Sequence, residues 1–549
     1  MRLPRCLALF ASLACTVGFA APVARAQHHH DAQGGPPATL RSDLGPLHHP
    51  IATTSVEAQK FFDQGLTLVY AFNHHQAVLS FQRAAELDPK SPMPYWGIAL
   101  ALGPNYNETH GEDEKGAYEA IQQARQLAAS APEAERAYVD ALELRFTKDD
   151  KPEYDKLARA YAGAMRELSH RYPDDPDAGT LFAESLMDLH AWALWTHDGK
   201  PAEDTLEIVS TLESALRKWP DHPGANHFYI HAMEMAPDPE RALASAHRLE
   251  TLVPGAGHLV HMPSHIYIRT GDYVAAVKSN QQAIEVDNRT PAPTGGNMAY
   301  MMYRSHNVHF LVAAAMMDGE FDVALEAGRD LDARANAIVA EMPDAEGLLS
   351  YHDFVLLRFA RWDDILAASP ADAKMKTAAF FSHYARGAAF AAKGQPAQAE
   401  AEQTAMEAVY KQVAPESIRG SNSWAATHEV AVHTLAARIA AARGDSARAI
   451  EEWRAAVDAQ DRMSYNEPAD WYYPVRESLG AALLASGKPA EAEAVFRQDL
   501  DDNPRNPRSL FGLWKALVAQ KNTVDAEWVH AAFQTAWKGA PDQPKLADF

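Results

Sequence analysis

Glycine or another small residue, an aromatic side chain two places later and an alanine three places after that recur along this chain of 549 residues. Gly271, Tyr273 and Ala276 show the spacing, and Gly319, Phe321 and Ala324 repeat it. The small residue marks a turn, and the aromatic and the alanine share a face of the helix that follows. A second pattern has Ala77, Phe81 and Ala84 closing on Pro89, with Gly65 in the helix before. Near the C-terminus Gly480, Ala492, Phe496 and Pro504 keep the same offsets, and Ala449, Trp453 and Ala456 keep part of them. Small residues at helix contacts let antiparallel helices pack closely. The pattern predicts a stack of helix pairs, each burying its apolar face only against its neighbours.

These offsets resemble the tetratricopeptide repeat, a helix-turn-helix of 34 residues. The resemblance covers roughly residues 55 to 540 and implies an all-α, right-handed superhelical solenoid of about eight or nine helix pairs. It also implies that the first helix of each pair lines the concave surface. The segments YWGIALALGPNYN (Tyr95 to Asn107), HMPSHIYIRTGDY (His261 to Tyr273) and WYYPVRESLGAALL (Trp471 to Leu484) are similar to a group of exported bacterial tetratricopeptide proteins, a likeness that carries no activity. Residues 53–549 read as one solenoid domain. Residues 27–52, rich in Pro, Gly and His, read as a flexible leader. Two long connections, Asp287 to Asn297 and Ala414 to Ser423, are placed to cover one mouth of the superhelix.

Residues 1–26 read as a cleaved secretory signal: Arg2 and Arg5, an apolar run from Cys6 to Ala21, then Ala24-Arg25-Ala26. Lipidation at Cys15 would follow Ser12-Leu13-Ala14, where serine is a poor residue. Both cysteines fall inside this segment, so the mature chain is expected to lack disulfides, thiolate ligands and cysteine nucleophiles. No later apolar run approaches a membrane span, and a periplasmic or secreted protein is expected. The net charge of −23 becomes −26 without Arg2, Arg5 and Arg25, which disfavours nucleic acid and anionic lipid as partners. No G-x-S-x-G, phosphate-loop or H-E-x-x-H motif is present.

Histidines carry the chemical signal. His227, His231 and Glu234 stand at i, i+4 and i+7, and His258, His261 and His265 at i, i+3 and i+7, each set within a helical arc of roughly 60°. His306 and His309 form a third row. Counted upstream from Ala242, Ala276 and Ala324, the offsets 18, 15 and 11 define nine positions, and all but Gly224 and Ala313 are histidine. Those are groove-facing offsets in the family the chain resembles. Glu184 follows Pro173 as His231 follows Pro220 and His265 follows Pro254, so it is expected to join the row, with Asp188 one turn on.

Neutral imidazole with carboxylate suits zinc, copper or iron. Three or four ligands are expected from His227, His231, Glu234, His261 and His265. His258, His306 and His309 would serve as outer groups or as ligands of a second ion, and the whole set would hold a pair of copper or iron ions with an open position. The leading expectation is an exported solenoid with a His/Glu metal centre in its groove, acting as an oxidase, oxygenase or hydrolase on a small-molecule or peptide ligand. Glu234, Glu184 or Asp188 would be the base in a hydrolase, and Tyr267 and Tyr303 would orient substrate. The competing expectations are a non-catalytic scaffold that binds a peptide or protein in the groove, and a metal storage or delivery protein. Peptide grooves of this family clamp a terminal carboxylate with Lys and Asn, whereas the central helices here offer His and Glu. The aromatic groups Tyr95-Trp96, Trp192 with Trp195, and Trp471-Tyr472-Tyr473 read as packing more readily than as substrate platforms. His28, His29 and His30 would form a copper-chelating start to the mature chain.

Overall fold

The structure is a computed structural model, and it describes residues 38–549 except 112, 150, 290–297 and 540–542. The signal segment, His28 to His30 and most of the connection before Asn297 lie outside the described residues.

Helices succeed one another in antiparallel pairs. The first four pairs are α1 (Val56–Tyr70) with α2 (His74–Leu87), α3 (Met93–Leu102) with α4 (Glu114–Ala128), α5 (Glu133–Glu143) with α6 (Tyr154–Arg171), and α7 (Pro176–Met187) with α8 (Thr205–Lys218). The next are α9 (Pro223–Glu234) with α10 (Leu243–Leu252), then α11 (Gly257–His261) and α12 (Pro263–Thr270) together against α13 (Tyr273–Arg289), then α14 (Met298–Asp318) with α15 (Phe321–Ile338). After the short α16 (Tyr351–Arg358) and α17 (Trp362–Ala367) come α18 (Lys376–Ala392) with α19 (Pro396–Tyr410) and α20 (Trp424–Ala442) with α21 (Ser446–Asp461). The array ends in α22 (Arg476–Ala485) with α23 (Pro489–Asp502) and α24 (Pro507–Ala519) with α25 (Thr523–Ala536). These make an all-α solenoid of twelve pairs among the described residues, more than the eight or nine expected. Pairs such as α16/α17 lack the glycine–aromatic–alanine signature and cannot be read from spacing.

Local chemistry sets the ends of these helices. Ser55, Asp113 and Asp175 accept backbone N–H groups at the starts of α1, α4 and α7, and Pro176, Pro223 and Pro507 occupy first-turn positions that need no N–H. The repeat signature is a packing device. Phe81 of α2 lies between Gly65 of α1 and Gly97 of α3, and a Cβ on either glycine would come within 2.6 or 2.5 Å of its ring. Phe496 of α23 sits between Gly480 and Gly512 in the same way.

Two features shape the interior. Pro263 has no N–H and splits one nominal helix into α11 and α12, so His258, His261 and His265 do not share one continuous helix as expected. Residues 38–52 are packed rather than free, which corrects that part of the flexible leader. Arg41 donates to the Gly255 carbonyl at 2.7 Å, the Gly255 N–H donates to the Asp43 carbonyl at 2.7 Å, and Leu44, His49 and Ile51 are buried. Later repeats reach back to the middle ones: Tyr273 donates to the Pro504 carbonyl at 3.3 Å, Tyr465 to the Glu234 carbonyl at 3.2 Å, and Arg358 pairs with Glu477. The Ala414 to Ser423 connection forms a short hairpin (β1, Ile418–Arg419; β2, Asn422–Ser423) held on Ser464 and Asp470. No helix among the described residues is long and apolar enough to cross a membrane.

Candidate metal centre

The whole of α9 is buried, and its histidines reach the centre with their tautomers determined by what stands behind them. His227 Nδ1 lies 2.7 Å from the Tyr70 carbonyl oxygen. A carbonyl only accepts, so Nδ1 carries the proton and Nε2 keeps its lone pair. His261 Nδ1 is 2.6 Å from Asn280 Oδ1, and Asn280 Nδ2 donates to the Ala276 carbonyl at 2.8 Å. That second bond orients the amide, which leaves His261 Nε2 as an acceptor too. His231 Nδ1 donates to Glu234 Oε1 at 3.0 Å, and its Nε2 is buried with no hydrogen-bond partner. An outer acceptor on one ring nitrogen and a bare inner nitrogen is the arrangement of metal-ligating histidine.

The inner nitrogens converge in two groups. His227, His231 and His258 each offer a nitrogen within 4.8 Å of the other two, and so do His261, His265 and His306. In the first group His258 Nε2 is 3.1 Å from His227 Nε2; in the second His261 Nε2 is 2.9 Å from His265 Nε2. Tetrahedral ligation at metal–nitrogen distances near 2.0–2.1 Å separates ligand nitrogens by about 3.3 Å, so a small opening of each pair accommodates an ion. The groups adjoin: ring centroids of His231 and His265 are 5.7 Å apart, and those of His258 and His261 5.8 Å. Phe72, Tyr106, Trp192 and Tyr303 wall the first group, and Phe310 packs on all three rings of the second.

Burial, reinforced by neighbouring imidazoles, pushes His227, His258, His261 and His306 well below the usual histidine range, so they are neutral. His265 differs. Burial alone would lower it, but Glu234 at 2.6 Å and Glu467 at 2.5 Å from Nδ1 raise it to about 10. Burial likewise opposes ionisation of Glu234, yet His231 and His265 bring it down to about 2. Burial lifts Glu467 to about 7.

Several expected roles change. Glu234 Oε1 accepts from His231 Nδ1 and its Oε2 lies 2.6 Å from His265 Nδ1, and with His265 and Glu467 it also forms a buried group that could itself hold an ion. His309 joins neither group: its ring packs on Tyr351 at 4.1 Å, and burial lowers it to about 3. Glu184 and Asp188 do not line up with the imidazoles. Asp188 pairs with Arg145, whose guanidinium lies 4.7 Å over the Tyr161 ring, and burial beside Asp188 raises Glu184 well above the usual carboxylate range. Tyr267 turns away and donates to Glu250. Tyr303 does reach the centre, its ring 5.0 Å from His258 and its oxygen accepting from Asn107 Nδ2 at 3.0 Å. Gly224, one of the two gaps in the histidine offsets, is glycine because the Tyr70 ring occupies the space where a Cβ would be. Of the aromatic groups, Trp96 and Trp471 to Tyr473 are core, whereas Trp192 stacks on Tyr106 beside His231.

Glu467, Phe72, Tyr106 and Asn280 were not legible as site residues. Glu467 precedes Pro468 in the turn after α21, more than 200 residues from its partners, and no spacing links them.

No protein-family model matches the chain, and no curated protein does. Among solved structures, two of the human IFIT1 dimer, with m7Gppp-AAAA and with PPP-AAAA, align over 88% of this chain and 91% of theirs at 12% and 13% identity, each with a TM-score of 0.32. Yeast Tom70 aligns over 86% of this chain and 90% of its own at 12% identity and a TM-score of 0.30. Likeness at that level says nothing of ligand or chemistry, and the fold rests on the helix pairs themselves.

Proposed function

We propose that this protein is an exported solenoid that binds zinc, copper or iron in its buried histidine cluster. The observation that carries the reading is His231, whose Nε2 is buried and unpartnered while Glu234 holds its Nδ1. Leaving such a nitrogen without a partner costs about 1–3 kcal/mol, which an ion would recover. The donor set is neutral imidazole without thiolate, which suits these three metals.

A bound ion would supply Lewis acidity or, if redox-active, oxygen chemistry. The chain's own groups supply the rest. Glu467, buried and poised near 7, is placed to take or give a proton beside His265. Phe72, Phe310 and Trp192 exclude water, and Tyr303 and His306, which are half-buried, mark the side on which a small ligand would approach. The burial of His227 and His261 also favours a second reading, metal storage or a structural ion, over turnover of a large substrate.

Elemental analysis of protein purified from its native compartment tests the metal reading, with a His231→Ala/His265→Ala variant alongside. At least one equivalent of transition metal in the native protein and its loss in the variant are expected. Less than about a tenth of an equivalent, with no uptake of added metal, would sink the reading. Turnover of small oxidisable or hydrolysable substrates by the loaded protein would separate an enzyme from a store.

A further inference from the structure

Resting on that reading, we infer that the cluster is a two-ion centre, with one ion on His227, His231 and His258, a second on His261, His265 and His306, and Glu234 as the carboxylate that orients a ligand of each. Three observations carry it. Each trio brings its ligand atoms within 4.8 Å of one another, and among the described residues no three of these six imidazoles drawn from both trios do so. One ion therefore satisfies one trio and leaves the other as it stands. The two close nitrogen pairs, at 3.1 and 2.9 Å, fall one in each trio, so each has its own focus.

Glu234 links the two. Its Oε1 accepts from His231 Nδ1 at 3.0 Å, and its Oε2 pairs with His265 Nδ1 at 2.6 Å. Both imidazoles thereby turn Nε2 inward, one toward each trio. The backing of the remaining ligands is separate: the Tyr70 carbonyl holds His227, and Asn280 holds His261. Charge sets the ligand class. Ligation displaces the proton from His265, so the six bound imidazoles bring no charge, and Glu234 and Glu467 as carboxylates bring two negative charges. Two divalent ions would leave the buried centre with two positive charges uncompensated. The pair therefore also takes an anionic oxygen donor, hydroxide or a small carboxylate, unless both ions are monovalent copper.

Native mass spectrometry of the full mature chain titrated with Zn(II) tests the division of ligands. Wild type is expected to take two ions, His258→Ala one, His306→Ala one, and the double variant none, with helical circular dichroism unchanged. Uptake of one ion by wild type overturns the two-ion centre while leaving the metal reading intact, and uptake of none overturns both. Two ions retained in either single variant, or both lost from a folded single variant, overturn the assignment of the trios. The isosteric Glu234→Gln keeps the packing and is expected to weaken both ions together, by about tenfold or more in dissociation constant. Weakening of one ion alone overturns the shared carboxylate.

Discussion

His227 donates its Nδ1 proton to the carbonyl oxygen of Tyr70, 157 residues earlier in the chain, at 2.7 Å. The bond ties α9 to the C-terminal end of α1, with the Tyr70 ring seated against Gly224. One contact thus belongs to both the fold and the candidate site.

His227→Ala is consequently expected to destabilise the protein whether or not metal is present, because it leaves the Tyr70 carbonyl without its donor at a cost of about 1–3 kcal/mol. His306→Ala should cost stability chiefly when metal is bound. In wild type, metal at 100 times its dissociation constant adds about 2.7 kcal/mol, seen as a higher melting temperature that a chelator reverses. Calorimetry on both variants, with and without chelator, checks the contrast. Equal losses for the two variants in the metal-free state would count against the Tyr70 anchor.

Glycine-to-alanine substitution is expected to have opposite effects inside and outside the Phe81 and Phe496 sandwiches. Gly97→Ala and Gly512→Ala push a methyl into a ring that is held from both sides, and overpacking of this kind costs about 1–3 kcal/mol. Gly163→Ala in α6 meets nothing within 4 Å and should stabilise by about 0.5–1 kcal/mol through helix propensity. Urea midpoints of the three variants decide it.

His49 gives stability a pH dependence. Its ring meets Asp177 at 2.8 Å, with Asp175 and Asp63 also near, and Asp177 in turn accepts from Tyr70 and contacts His222. Burial opposes its charge, yet the carboxylates raise it from 6.5 to about 9. A folded value above the unfolded one means the contribution is complete below pH 6.5 and fades as pH rises through about 9. At about 1.4 kcal/mol per unit it is on the order of 3 kcal/mol. Unfolding free energies of wild type and His49→Gln measured from pH 6 to 10 should converge at the alkaline end. Curves that stay parallel would show that His49 is not charged in the folded protein.

Arg145→Met tests the role of Glu184 and Asp188. It strands the buried Asp188 carboxylate beside Glu184, and breaking a buried pair in this way costs about 3–5 kcal/mol. The metal content of the folded fraction should not change. A parallel fall in metal content would return these carboxylates to the centre.

Helical periodicity and glycine–aromatic spacing are local, and they were enough to read most of the helix pairs, the histidine-bearing first helices and the pairing of Phe81 with Gly65 and of Phe496 with Gly480 from the sequence. Side-chain phase along a helix follows from 3.6 residues per turn, whatever the rest of the chain does. The extra pairs escaped because short helices such as α16 and α17 carry no such spacing, and the break at Pro263 rephased a row that spacing alone treated as continuous. Which groups back the histidines was decided only in tertiary structure. Tyr70, Asn280 and Glu467 reach them from other helices and from a turn far along the chain, and Arg145 draws Asp188 into an ion pair off the row its offset implied. Such partners are chosen by how successive pairs rotate and fold back on one another, a long-range sum of packing that leaves no period in the sequence.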